Sequence, residues 1–194
     1  MRLRLIIAAV ACALAGPAFG QESYRIDPLH TATTYSVSHL GISMQRGSFG
    51  RTTGTVMLDR AAGKGSVDVS IDASTVNSGS PPRETLLKGE DYFNVAQFPT
   101  ITFKSTRLRF DGDAIVSCDG ELTMRGVTRP VVLSVTSFKC AIHPSTKTPV
   151  CGAEITASVK RSEFGMVKNA ASTGDDVNIV IAVEAIRQQQ QDVK

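Results

Sequence analysis

Eight stretches of the chain alternate between apolar and polar residues, which is the period of a β-strand with one buried face. The clearest covers residues 67–73, where Val67, Val69 and Ile71 are separated by aspartate or serine. The others lie at residues 33–40, 47–59, 114–124, 131–136, 153–159 and 177–183, and directly after Pro99. No helical segment follows each strand, which argues against a parallel sheet. The pattern therefore predicts an all-β domain, either an antiparallel barrel or a sandwich.

One helix is predicted, over residues 83–94, with Leu86, Leu87 and Phe93 as candidates for its buried side. Pro99 excludes a longer helix, because the residue before a proline is pushed towards extended backbone. Several aromatic residues surround this proline. We expect the helix and the aromatic residues to close the mouth of a barrel, and a plain corner of the core is the alternative.

The faces predicted to point inward are almost wholly apolar. On residues 114–124, for example, Val116, Cys118, Leu122 and Met124 share one parity and are predicted to point inward. An eight-stranded barrel can be filled by its own side chains or can hold one small ligand. Both outcomes use the same inward faces, so the pattern leaves a filled barrel and an open cavity as alternatives.

Residues 1–20 have the pattern of a secretory signal peptide. Arg2 and Arg4 precede an apolar run, and small residues lead up to a cleavage position at Gly20. A glycine–proline pair interrupts the run, which disfavours a membrane anchor. Lipoprotein processing at Cys12 is a further alternative, but the residues before it fit a lipoprotein cleavage site poorly. We expect a periplasmic or secreted protein that does not span the membrane.

The remaining chain shows no linker, charge block or change of composition that would divide it. We expect one domain over residues 21–186, followed by a polar tail at residues 187–194. The formal net charge is +3, and the predicted signal peptide supplies two of the positive charges. There is no basic stripe with interleaved aromatic residues, so nucleic acid is not expected as a partner.

Cysteine usage agrees with export. Cys140 and Cys151 bracket a segment rich in turn residues and are predicted to form a disulfide that closes the end of a hairpin. A redox pair is disfavoured because the spacing is not that of a CxxC motif. Cys118 is left over and is predicted to be a buried, inert thiol, with a reactive or intermolecular thiol as the alternative.

The sequence offers few candidate catalytic or metal-binding residues. His30 and His39 could be metal ligands, but their odd spacing places them on opposite faces of one strand, and no third ligand is suitably spaced. A structural or ligand-orienting histidine is favoured, and no metal site is predicted. The chain has no GxSxG nucleophile motif and no GxxxxGK[ST] phosphate loop. No catalytic residue is therefore predicted.

Five segments of the chain are specific in their combined order and spacing: HTATTYSVSHLGIS, RGSFGRTTGTV, VDVSIDASTVNSG, RETLLKGEDYFNVAQFPTITFKST and GELTMRGVTRPVVLSV. Together they resemble the YceI-like family of periplasmic polyisoprenoid-binding proteins, over most of residues 24–186. His30 and His39 match the two histidines near the family's first strand. Tyr35 stands where phenylalanine is usual in the family, and Glu84 stands where aspartate is usual.

The resemblance implies a lipocalin-like, extended eight-stranded antiparallel β-barrel with one short helix near its mouth. It also implies an isoprenoid chain in the pore and, often, a homodimer. No cofactor is expected beyond this bound polyisoprenoid lipid. The candidate lipid contacts are the residues expected on the barrel lining or the helix: Tyr35, Val37, His39, Phe49, Leu86, Phe93, Phe103, Leu122, Met124, Val135 and Phe164.

The predicted function is a non-catalytic periplasmic carrier or store of a long polyisoprenoid of the quinone or prenyl phosphate type. Two other classes stay open. One is a filled barrel that acts through its surface as an interaction or stress-response module. The other is an enzyme acting on a small hydrophobic substrate, for which His39 and Tyr35 are the only evident polar candidates.

Overall fold

The computed structural model describes residues 21–189. The predicted signal peptide and residues 190–194 of the predicted tail lie outside these residues. The helix α1 spans Pro81–Lys88, and two short 3-10 turns span Ala73–Thr75 and Arg161–Phe164. The strands are β1 (Glu22–Ile26), β2 (Ala32–His39), β3 (Ser43–Phe49), β4 (Thr52–Asp59), β5 (Lys64–Asp72), β6 (Val76–Asn77), β7 (Thr100–Asp111), β8 (Ala114–Met124), β9 (Val127–Ile142), β10 (Pro149–Lys160) and β11 (Thr173–Arg187).

The strands form one closed antiparallel barrel. Its order is β1-β4-β5-β7-β8-β9-β10-β11, and β11 pairs back onto β1. The long strand β11 also pairs with β2, so that β1 and β2 together act as one interrupted strand along it. In the same way β3 and β4 continue each other across a break at Gly50 and Arg51. The barrel therefore has eight strand positions, as the alternation predicts, and the stretch predicted as one strand at residues 47–59 is interrupted at Gly50 and Arg51.

Strand β1 has no counterpart among the predicted elements. Its buried residues Tyr24 and Ile26 complete only one period of alternation, which is too short a signal to recognise in the sequence. The other end of the chain also differs from expectation, because Arg187 belongs to β11 and pairs with Tyr24. Gln188 continues this contact by donating its backbone N–H to the carbonyl oxygen of Ser23 at 2.7 Å.

The helix begins two residues earlier than predicted and ends six residues earlier. Prolines are well tolerated in the first turn of a helix, because the N–H groups there have no intrahelical partner. The chain leaves the helical conformation at Gly89, and the following turns bond back onto α1 through the backbone N–H of Phe93 and the carbonyl of Leu87, at 2.9 Å. No residue of α1 is fully buried, and Leu86 is 48% exposed. The predicted burial of Leu86 was wrong.

A bulge in β8 reverses the predicted orientation of one residue. The register between β7 and β8 shifts after Arg109, so that the next paired residues are Phe110 and Ile115. The extra residue, Val116, is exposed, whereas Ile115 is buried. Strict alternation assigned Val116 to the inward face, because a sequence pattern does not reveal an inserted residue.

One end of the barrel is fastened by a disulfide and a group of charged residues. Cys140 and Cys151 are direct neighbours on β9 and β10 and form the predicted disulfide. Arg60 lies beside it, with its guanidinium 3.1 Å from the Cys140 sulfur and 3.3 Å from a carboxylate oxygen of Glu22. The other oxygen of Glu22 is 3.2 Å from the guanidinium of Arg187. Four strands are thereby linked at this end.

The ring of Phe103 on β7 lies over Gly120 on β8, where a side chain would leave it no room. A Cβ at Gly120 would overlap the Phe103 ring and lie 2.6 Å from the carbonyl oxygen of Lys104. We therefore expect Gly120→Ala to lower the free energy of unfolding by about 1–3 kcal/mol, the usual cost of overpacking. Equilibrium unfolding in urea measures this loss.

Gly152→Ala is the matched control for this substitution. Gly152 lies on β10 of the same barrel, and the atom nearest to its ideal Cβ is 3.5 Å away, which is ordinary contact. We expect its free energy of unfolding to stay within about 0.5 kcal/mol of the native value. Equal losses for the two variants would contradict the proposed packing of Phe103 against Gly120.

Candidate binding cavity

An apolar cavity of about 270 Å³ occupies the interior of the barrel. Its lining runs from residues at the disulfide end, such as Leu58 and Cys151, to Leu87 in α1 and Phe93 in the turns that follow it. Along β11 it extends from Thr173 to Ala185, which is nearly the whole strand. The interior is therefore not filled by side chains, and the space runs lengthwise through the barrel.

Eight of the eleven candidate lipid contacts lie on the cavity wall: Tyr35, Val37, Phe49, Phe93, Phe103, Leu122, Met124 and Val135. Their placement follows from strand alternation, since each except Phe93 faces inward on its strand. Contact of these residues with a lipid remains a prediction.

The other three candidates do not line the cavity. His39 is half-buried at the end of β2, next to the turn that leads into β3. Leu86 lies on the exposed side of α1. Phe164 is 1% exposed and lies in the 3-10 turn after β10, where it packs in the core with Phe49 and Met166. His39 lies too far along β2 to reach the cavity, and Leu86 faces away from it. Phe164 is separated from the cavity by the residues that cover it.

Several lining residues have no counterpart among the sequence candidates. Tyr24 comes from the unrecognised strand β1, where its alternation with Ile26 is the one available signal. Tyr92 is buried beside Phe93 in the turns after α1, in a region assigned to the helix. Arg161 also lines the cavity. No pattern points to it, because arginine is rarely buried.

The segment after α1 closes the barrel at the end opposite the disulfide. Arg125, in the turn between β8 and β9, donates to the carbonyl oxygens of Glu90 and Tyr92. The Tyr92 hydroxyl accepts a hydrogen bond from the side-chain amide of Asn169 at 2.8 Å, in the loop before β11. The segment is thus held between two loops of the same end, which places Phe93 over the interior as the aromatic pattern predicts.

An aromatic cluster of Tyr35, Phe49 and Phe93 lies on the cavity wall at this end. The ring centroids of Tyr35 and Phe49 are 5.8 Å apart, and those of Phe49 and Phe93 are 5.3 Å apart in an edge-to-face arrangement. The pairing of β2 with β3 positions the first two rings, and the turns after α1 position the third. Such contacts fix the orientation of each ring beyond simple burial.

The hydroxyl of Tyr35 is the exception in this apolar cluster. It is buried and makes no hydrogen bond to the residues the structure describes. Burial raises the pKa of Tyr35 to about 12, so the hydroxyl stays protonated at neutral pH. It is therefore available as a hydrogen-bond donor.

Most other polar groups on the wall have partners. The hydroxyl oxygens of Thr33 and Thr52 are 3.2 Å apart, and the Tyr24 hydroxyl donates to Glu22 at 2.9 Å. Arg161 donates to four backbone carbonyl oxygens, those of Met166, Lys168, Thr173 and Gly174. These groups serve the structure and leave a wall that is almost wholly apolar.

Cys118 also lies on the cavity wall and is 4% exposed. Burial, with a smaller contribution from the negative charge of Asp119, raises the pKa of its thiol to about 12. The thiolate, which is the reactive form of cysteine, is therefore scarce at neutral pH. These properties agree with the predicted buried, inert thiol.

No metal centre is found in the part of the chain that the structure describes. Within residues 21–189, no group of three or more histidine, cysteine or acidic side chains is placed to hold a metal ion. His30 lies on the exposed loop between β1 and β2, where its Nδ1 is 2.7 Å from Asp27. No helix in the same range is long and apolar enough to cross a membrane.

Comparison with known proteins places the whole barrel in one family. The model of the YceI-like domain matches residues 24–185. Protein YceI of Escherichia coli O157:H7 is 31% identical over 170 residues, covering 85% of this chain and 87% of the relative. A UPF0312 protein of Azotobacter vinelandii is 31% identical over 160 residues, covering 82% of this chain and 83% of the relative.

Solved structures show the same fold. The crystal structure of Burkholderia cenocepacia BcnA matches with a TM-score of 0.70 at 21% identity, covering 82% of this chain and 98% of that one. A polyisoprenoid binding domain from Saccharophagus degradans, implicated in plant cell wall breakdown, matches with a TM-score of 0.63 at 15% identity. That match covers 85% of this chain and 98% of the domain.

Proposed function

Since the chain belongs to the YceI-like family, we propose that it binds a long polyisoprenoid lipid in its barrel and acts as a non-catalytic carrier or store. The observation that carries this proposal is the apolar cavity that runs lengthwise through the barrel. The structurally similar domain from Saccharophagus degradans, whose name describes polyisoprenoid binding, supports the same ligand class.

The energetics of such a cavity favour an apolar chain. Burying one five-carbon isoprene unit contributes about 4 kcal/mol before costs, at ~0.8 kcal/mol per carbon. One hydrogen bond contributes about 1 kcal/mol net. Association and ordering of the chain offset part of the gain. The apolar wall therefore sets the affinity, and the few polar groups set the orientation of the ligand.

The cavity also argues against the two alternative functions, a filled barrel that acts through its surface and an enzyme. A filled barrel would leave no room for a ligand, and the interior of this barrel is open. An enzyme would need polar groups that converge on a substrate. His39 does not line the cavity, which leaves Tyr35 without its expected catalytic partner.

We place this activity in the periplasm, with the lipid drawn from the quinone or prenyl phosphate class. The predicted signal peptide and the disulfide between Cys140 and Cys151 support an oxidising compartment outside the cytoplasm. The homodimer that the family resemblance implies remains a prediction.

Mass spectrometry of an organic extract tests the proposal. The protein is purified without detergent from the periplasm of its own cells, and we expect about one isoprenoid molecule per barrel in the extract. Its mass identifies chain length and head group. Extracts that contain only bulk phospholipid, in the proportions of the surrounding membrane, would count against isoprenoid binding.

A further inference from the structure

Two buried side-chain polar atoms in residues 21–189 have no hydrogen-bond partner: the Tyr35 hydroxyl oxygen and Oδ1 of Asp119. The two groups differ in how much of their polar part lacks a partner. The second oxygen of Asp119 accepts a hydrogen bond from Arg109 at 2.8 Å, so that carboxylate is partly satisfied. The Tyr35 hydroxyl is the whole polar part of its side chain. Buried hydroxyl groups in native proteins usually have a partner, and an exception calls for an explanation.

The position of this hydroxyl follows from the pairing of β2 with β3. Tyr35 is directly opposite Gly47, and the two residues share the inward face. A Cβ on Gly47 would overlap the Tyr35 hydroxyl and lie 2.7 Å from the Asn77 carbonyl oxygen. The missing side chain of Gly47 therefore makes room for the hydroxyl on the cavity side of the sheet.

Phenylalanine would keep the ring in place without burying an unpartnered polar group. The ring of Tyr35 already makes its aromatic contact with Phe49, and that contact does not use the hydroxyl. The hydroxyl is therefore a buried polar group without a partner, which lowers the stability of the empty barrel. A partner supplied from within the cavity would account for it.

We propose that the Tyr35 hydroxyl donates a hydrogen bond to an oxygen atom of the bound isoprenoid, and so selects oxygen-bearing isoprenoids over hydrocarbons. The inference rests on the proposed function, because it needs a lipid in the cavity. The hydroxyl belongs to the aromatic cluster on the cavity wall, near the end closed by α1. The polar end of the lipid is thereby placed at the α1 end, and its apolar chain extends towards the disulfide.

The protonation state of the group fits this role. Burial is the largest cause that raises the pKa of Tyr35, and the nearby charges of Arg83 and Glu84 act in opposite directions. The group therefore keeps its proton, and can donate a hydrogen bond, throughout the neutral range. A carbonyl or phosphate oxygen is the matching acceptor, whereas a hydrocarbon has none.

The test compares two probes on two proteins. The probes are geranylgeranylacetone, an isoprenoid methyl ketone, and its deoxygenated hydrocarbon, each competing with a fluorescent lipid for the delipidated protein. We expect Tyr35→Phe to weaken binding of the ketone roughly tenfold, which is the effect of one buried hydrogen bond, and to leave the hydrocarbon within about twofold. The variant without ligand should melt about 2–4 °C higher, because the unpartnered group is gone.

Tyr24→Phe is the matched control, since Tyr24 also lines the cavity but its hydroxyl is held by Glu22. It should change the affinities for both probes by the same factor. If both probes bind and Tyr35→Phe also changes them by the same factor, the assignment of Tyr35 is overturned while the lipid-binding function stands. If neither probe binds the native protein, the proposed function itself fails, and the role of Tyr35 fails with it.

Discussion

Ala153→Trp should empty the barrel of lipid. Ala153 lies on β10, lines the cavity, and faces Phe138 and Val183 across the neighbouring strands. An indole at this position would occupy the space through which an isoprenoid chain must pass. Displacing a single isoprene unit removes about 4 kcal/mol of gross burial, so we expect the lipid in organic extracts to fall at least roughly tenfold. Quantitative mass spectrometry of the purified variant measures this fall.

Glu154→Trp controls for the added indole. Glu154 is the next residue on β10 and points outward, where its side chain is exposed. The same substitution there should leave the lipid content within about twofold, because it adds nothing to the interior. Circular dichroism of both variants checks that the barrel is folded. Equal lipid content in the two folded variants would show that the ligand does not pass Ala153.

Arg161→Gln should cost more stability than any surface substitution in this chain. The Arg161 side chain is 5% exposed, and its guanidinium reaches four backbone carbonyl oxygens at 2.5–3.1 Å. Three of these carbonyls belong to Met166, Lys168 and Thr173, so one side chain holds the loop before β11 in place. Glutamine is shorter and offers one amide group, which leaves buried carbonyls without donors. We expect a loss of about 3–5 kcal/mol in the free energy of unfolding.

Lys160→Gln is the neighbouring control. Lys160 is exposed and its ammonium is 2.8 Å from a carboxylate oxygen of Asp176, an ion pair of the kind that contributes less than about 1 kcal/mol. Urea unfolding measures the free energy of unfolding of both variants, compared with the same dependence on urea concentration. The difference separates the contribution of the buried Arg161 from that of the exposed Lys160. In Arg161→Gln, hydrogen exchange should show a loss of backbone amide protection at residues 166–174. A loss for Arg161→Gln no larger than that for Lys160→Gln would contradict the role we assign to Arg161.

The barrel could be predicted from the sequence because each long strand buries one face. Val67, Val69 and Ile71 on β5, for example, show this alternation over a full strand. The prediction failed where the pattern is short or broken. Strand β1 carries too few periods, and the bulge at Val116 inserts a residue that changes the parity of β8. Pairing with a neighbouring strand decides such details, and a single sequence does not show it.

The candidate site could be predicted in part, for a related reason. Inward strand positions such as Phe103 and Leu122 line the cavity because alternation assigns them to that face. The prediction for Leu86 was wrong because the end of α1 depends on Gly89 and on contacts with the turns that follow. Arg161 was missed because its burial depends on carbonyl groups of a loop later in the chain. The sequence also could not predict that the interior is open, since the same apolar side chains could have filled it.

The position of β11 has a consequence for how the chain folds. Strand β11 pairs with β10 on one side and with both β1 and β2 on the other, so the barrel closes only after β11 has been made. The Thr34 hydroxyl, for example, donates to the carbonyl oxygen of Val180, 146 residues away in sequence. Such distant pairings are formed slowly, and until then β10 and the interrupted strand β1–β2 each have an unpaired edge. A chain cut before Thr173 would keep both edges open and would be prone to pair with other chains.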